Sequence, residues 1–179
     1  MTAIVQSSSS RPLAQRVRQA LDAQKLKRER CLLLDVSGSM AESVEPGRAK
    51  IDALREIAAQ FGDVTQIIFS DSAGECAYVP EPGGNTNLAT ALRSLHARGI
   101  SRAVLITDGH PSEPEPACLA AARGLHLDIF YVGPAPEPQF LRDLAAATGG
   151  SFGATSLARE NHAQLASNIR GLLGPGKQL

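Results

Sequence analysis

No charge of one sign dominates this chain: 18 Lys and Arg balance 18 Asp and Glu over 179 residues. A general nucleic-acid binder needs a basic excess to neutralise phosphates, so a neutral total argues against one, while leaving room for a local patch. Long apolar runs are missing too. None approaches the roughly 18 residues that span a bilayer, so no membrane span is expected. The opening MTAIVQSSSSRP has neither a basic n-region nor a long apolar h-region, so no secretory leader is expected and the expected setting is cytoplasmic. Cys31, Cys76 and Cys118 are an odd number without a C-x-x-C pair. They fit neither a disulfide framework nor a zinc knuckle, and suit a reducing compartment. His96, His110, His126 and His162 are scattered without ligand spacing.

What is present is an ordinary globular composition, 43% hydrophobic and 20% charged, over a length that fits one domain and one core. The neutral total hides an asymmetry. Residues 1–30 hold seven bases and two acids, a net +5, and the remaining eleven bases and sixteen acids sum to −5. Residues 1–11, with their four serines, are expected to be disordered. Pro12 followed by Leu13, Val17 and Leu21 at helical spacing predicts a basic amphipathic helix over 12–27. The folded domain is expected over 28–175.

Within it, strands alternate with helices. Continuous apolar runs predict strands at 31–35, 65–69, 103–107 and 127–132, with an edge strand at 76–79 and a short one at 151–154. Helical spacing predicts helices at 46–61, 88–95, 115–123, 137–147 and 160–173. This alternation implies an α/β fold: a doubly wound, mostly parallel, Rossmann-like central sheet of about six strands flanked by helices.

Such sheets bind ligands at the carboxyl ends of their strands. Three polar clusters should arrive there: Asp35-Val-Ser37-Gly-Ser39, Gly83-Gly-Asn-Thr86-Asn87 and Thr107-Asp108-Gly109. The i, i+2, i+4 spacing of Asp35, Ser37 and Ser39 lets an extended strand end aim all three side chains the same way. With Thr86 and Asp108 they offer only oxygen, the donor that hard cations such as Mg²⁺ take. The plainer reading of Ser-Gly-Ser is a helix N-cap, but that reading leaves the other two clusters unexplained. Asp71 reads as a turn residue. Glu42, Glu45, Glu113 and Glu115 read either as a solvated loop face or as a rim that selects partners.

In this order, Asp-x-Ser-x-Ser, Gly-Gly-x-Thr-Asn and Ile-Thr-Asp-Gly resemble the von Willebrand factor type A domain and its metal-ion-dependent adhesion site. The resemblance runs from Cys31 to Leu173. It implies that Ser37, Ser39 and Thr86 bind Mg²⁺ (or Mn²⁺ or Ca²⁺) by their hydroxyls, with Asp35 and Asp108 acting directly or through water. One departure is Asn85, which separates Thr86 from the glycines, where many members place Thr directly after them. The family role implied is adhesion, with the metal bridging to an Asp or Glu of a protein partner. Intracellular bacterial members resemble adaptors of AAA+ ATPases or of stress-response and modification enzymes. Catalysis is the weaker class. Ser37 stands where a dehalogenase-like phosphatase would have its second Asp, and neither G-x-S-x-G nor a P-loop occurs. A metal-dependent hydrolase or phosphatase on the same site is the alternative, and no catalytic residue is assigned.

Overall fold

A computed structural model describes residues 30–174, together with Gln15, Val17 and Arg18. The segment 1–11 and, apart from those three helical residues, the helix expected over 12–27 lie outside the described residues. The elements run β1 (Arg30–Asp35), a 3₁₀ turn (Gly38–Ala41), β2 (Ser43–Glu45), β3 (Arg48–Ala49), α1 (Lys50–Ala58), β4 (Thr65–Phe69) and β5 (Ala73–Glu75). They continue with α2 (Leu88–Ala97), β6 (Arg102–Thr107), α3 (Glu115–Ala121), β7 (His126–Tyr131), α4 (Gln139–Ala147), β8 (Phe152–Ala154) and α5 (Arg159–Leu173).

The strand Cys31-Leu-Leu-Leu shows why the architecture is layered. Successive side chains of a strand point to opposite faces, yet all four of these are fully buried. Both faces must therefore be covered. Cys31 and Leu33 pack with residues of α2, α3 and α4, and Leu32 and Leu34 pack with residues of α1 and α5. The main sheet has the order β5-β4-β1-β6-β7-β8. Every neighbouring pair is parallel except β4–β5, which is antiparallel. This is the doubly wound α/β sheet that the alternation of elements implied.

Two elements differ from expectation. The edge strand lies at Ala73–Glu75, where Ile67 pairs with Glu75 and Phe69 with Ala73, and not at 76–79. Tyr78 is 77% exposed, while Val79 turns into the core beside α1. The apolar pattern there marks a loop that anchors one residue. The helix expected from residue 46 begins at Lys50, because Pro46-Gly47 turns a small antiparallel ribbon, β2–β3. Gly47 has φ +75°, a left-handed value that a helix cannot use and glycine adopts freely.

The chain leaves β1 toward α1 on one face and leaves β6 toward α3 on the other. The crevice between the exit ends of β1 and β6 is thus the switch point of the sheet, where ligands of open α/β folds bind. Among the described residues no helix is long and apolar enough to cross a membrane.

Candidate metal centre

Asp35 ends β1 and is fully buried. Its Oδ1 accepts the Ser37 N–H at 2.9 Å, and its Oδ2 accepts the Thr107 hydroxyl at 2.6 Å from the end of neighbouring β6. Both donors are neutral. Burial pushes this carboxyl up to about 6, against the pull of its bonds from Ser37 and Thr107. Ser37 stands at the cap of the 3₁₀ turn but its hydroxyl makes no capping bond. It lies instead 3.2 Å from the hydroxyl of Ser39. The N-cap reading therefore does not account for it.

Ser39 donates its hydroxyl to Asp108 Oδ1 at 2.6 Å, across 69 residues of sequence. Thr86 reaches the same place from the loop before α2. A Cβ on Gly109 would sit 3.7 Å from Thr86 Oγ1 and 3.9 Å from Ser39 Oγ, so the two hydroxyls flank one small space. The switch point thus gathers all five residues singled out in the sequence.

The Thr86 loop is held from both sides. Gly38 N–H donates to Gly84 O at 3.1 Å and Gly83 N–H to Val36 O at 2.9 Å, stitching it to the β1 loop. Asp71 Oδ1 accepts the Asn85 N–H at 3.0 Å and its side-chain amide at 2.7 Å. Asn85 is therefore turned toward Asp71, and Thr86 is the residue of that pair that faces Ser39. Gly84 has φ +77°, and a Cβ there would collide with the Asp71 carboxylate, so only glycine fits. Thr86 is clamped further by Ser112, whose Oγ accepts its N–H at 3.1 Å and whose N–H donates to its carbonyl at 2.9 Å.

The glutamates have other work. Glu113 accepts the Ala89 and Thr90 N–H groups at the start of α2, where a carboxylate suits the helix dipole. Glu45 accepts the Arg159 N–H at 3.0 Å and pairs with Arg48. Glu115, at the start of α3, and His110 are exposed.

Sequence reasoning missed Lys50. Its Nζ lies 2.7 Å from Asp108 Oδ2 and 2.6 Å from Glu42 Oε2, with the side chain only 8% exposed. The expected helix start at residue 46 hid it: only with the helix beginning at Lys50 does this lysine oppose the helix dipole and need a compensating partner.

The donor set is three hydroxyls and two carboxylates. Among the described residues no group of three or more His, Cys, Asp or Glu side chains is placed to hold a metal. All five side chains offer oxygen, the donor type that hard divalent cations take.

A doubly wound sheet with an oxygen-lined switch point defines the class: the fold is of the von Willebrand factor type A kind. No protein-family model and no curated protein matches the chain in sequence. Solved structures match it in fold. A von Willebrand factor type A protein from Catenulispora acidiphila superposes with a TM-score of 0.63 at 19% identity, covering 80% of this chain and 41% of that one. The conserved hypothetical protein BatB from Bacteroides thetaiotaomicron gives 0.57 at 14% identity, covering 80% of this chain and 97% of that one. Proximal thread matrix protein 1 from the mussel byssus, with a zinc-occupied MIDAS motif, gives 0.51 at 16% identity, covering 78% and 45%. At such identities the likeness is one of fold.

Proposed function

We propose that this chain is a divalent-cation-dependent protein-binding module, an adhesion or adaptor domain, that engages an Asp or Glu of a protein partner. One observation carries the reading: Ser37, Ser39, Thr86, Asp35 and Asp108 meet at the switch point from three separate segments. The zinc-occupied motif named for the mussel protein supports a divalent ion here, and the oxygen donors favour Mg²⁺. When bound, the ion supplies a positive, oxygen-seeking centre to which an incoming carboxylate can be attached.

The protein's own residues prepare that centre. Asp108 accepts the hydrogen bond of the Ser39 hydroxyl, turning that hydroxyl's lone pairs toward the space shared with Thr86. Thr107 and the Ser37 N–H fix both oxygens of Asp35, so its orientation is set before any ligand arrives. The three hydroxyls add no negative charge, so only the two carboxylates offset the ion's charge.

The reading is of a binding module and not an enzyme. His96 bonds to Ala121 O, and His162 to Leu157 O and Arg48, so neither serves the serines as a base. A cytoplasmic setting, with a partner of the AAA+ or stress-response kind, belongs to the same proposal by family analogy.

Titrating Mn²⁺ and Mg²⁺ into the wild type, Ser39→Ala and Asp108→Ala tests it. Expected is binding by the wild type, weakened about 100-fold or more by either substitution, and no turnover of phosphoesters. Equal affinity in all three proteins sinks the site.

A further inference from the structure

We propose that Lys50 is a built-in counter-cation of this centre: it loosens the hold on a divalent ion and, once the ion is bound, strengthens attraction for a partner carboxylate. The inference rests on the proposed metal-dependent binding and adds the residue that sets its strength.

The geometry leaves the ammonium little choice. Nζ stands 2.7 Å from Asp108 Oδ2, and the Asp108 side chain has no exposure at all. Its second partner, Glu42, is 64% exposed and 2.6 Å away. The Lys50 backbone is fixed as well, its N–H donating to Glu42 O at 2.9 Å. Lys50 is therefore clamped over one oxygen of Asp108 while Ser39 takes the other.

The consequence is a matter of charge. Asp35 and Asp108 bring two buried negative charges to the switch point, and Lys50 cancels one of them. A divalent ion entering the centre meets one unit less attraction than the two carboxylates alone would give it. The loaded centre is then one unit more positive than the same centre without Lys50. At the effective dielectric of a partly buried site, one fixed charge near a divalent ion changes affinity on the order of tenfold or more. A packing role for Lys50 would predict the reverse sign, because removing it would leave Asp108 misplaced and the ion bound more weakly.

The test uses the full chain, with Lys50→Met to keep the apolar stem and Lys50→Gln to keep a neutral donor to Asp108. Calorimetry with Mn²⁺ gives the ion affinity. Relaxation of acetate methyl protons by bound Mn²⁺, at matched occupancy, gives the contact with a carboxylate. Expected is Mn²⁺ binding about tenfold tighter in both variants and acetate relaxation at least threefold weaker per bound ion. If Lys50→Met does not fold, Lys50→Gln decides alone. Unchanged or weaker Mn²⁺ binding in a folded variant overturns the inference, as does tighter binding with acetate contact undiminished, and in both cases the proposed function stands. Absence of Mn²⁺ binding in the wild type and every variant overturns both together.

Discussion

Two buried aspartates with serine neighbours stand at different places in one sheet, and they have different fates. Asp128, early in β7, accepts the Ser151 N–H at 2.9 Å and its hydroxyl at 2.8 Å, both on Oδ1. Its Oδ2 faces His126 at 3.4 Å and Arg102 at 4.0 Å. Asp108, just past the end of β6, accepts a serine hydroxyl at 2.6 Å on Oδ1 and an ammonium at 2.7 Å on Oδ2. In isolation the two are near-equivalent. What separates them is company: Asp108 lies beside Asp35, Ser37 and Thr86 at the switch point, whereas Asp128 has only groups that tie β7 to β8 and to the start of β6. Donor chemistry alone does not make a binding site; several donors must converge where the topology opens a crevice.

The largest effect that can break this comparison comes from removing each carboxylate in turn. Asp108→Ala is expected to abolish Mn²⁺ binding in calorimetry. Asp128→Ala is expected to leave Mn²⁺ affinity within about twofold while lowering stability in urea by roughly 2–3 kcal/mol, since it strands hydrogen-bond donors that served a charged group. Loss of ion binding in a folded Asp128→Ala protein would erase the distinction.

A second, smaller effect sharpens it through Asp35, the carboxylate held by neutral donors only. Its folded-state pKa of about 6 lies above the unfolded value of about 4. The folded chain therefore holds an extra proton between the two. Asp35's share of stability is full below about pH 4 and is lost as pH climbs through 6. In EDTA, Asp35→Asn removes that loss and is expected to be more stable than wild type by about 3 kcal/mol at pH 8, with the gap opening between pH 4 and 6. Ion binding should vanish in the same variant. A gap that does not vary with pH would show that the charge of Asp35 is not what strains the metal-free protein.

The same contrast between local chemistry and convergence governs what could be read from the sequence. β1, β6 and β7 were legible because their runs are buried on both faces, and β4 because Ile67-Ile-Phe69 forms a short apolar run, although only one of its faces is fully buried. The strand Ala73-Gly-Glu was not, because backbone pairing with β4 makes it a strand and its side chains carry no pattern. The three polar clusters were legible because each follows a strand or precedes a helix, so topology alone sends them to one edge. Lys50 was not, because its partner lies 58 residues away and the ion pair exists only in the folded crevice. Glu113 and Glu45 looked like loop charges for a related reason: their partners are backbone N–H groups of other elements.

The smallest effect probes convergence itself, at Gly109. Its backbone is not left-handed, and a Cβ would meet Thr86 Oγ1 and Ser39 Oγ at ordinary contact distance. Gly109→Ala should therefore fold with stability within about 0.5 kcal/mol of wild type. Its methyl group would nevertheless occupy the space that the two hydroxyls flank, so Mn²⁺ affinity should fall about three- to tenfold. Gly83→Ala is the control, because a Cβ there has open space and the same loop is altered. If both variants bind Mn²⁺ as tightly as wild type, Thr86 and Ser39 do not act on a common ligand. Asp108 would then be closer in kind to Asp128 than its position at the switch point implies.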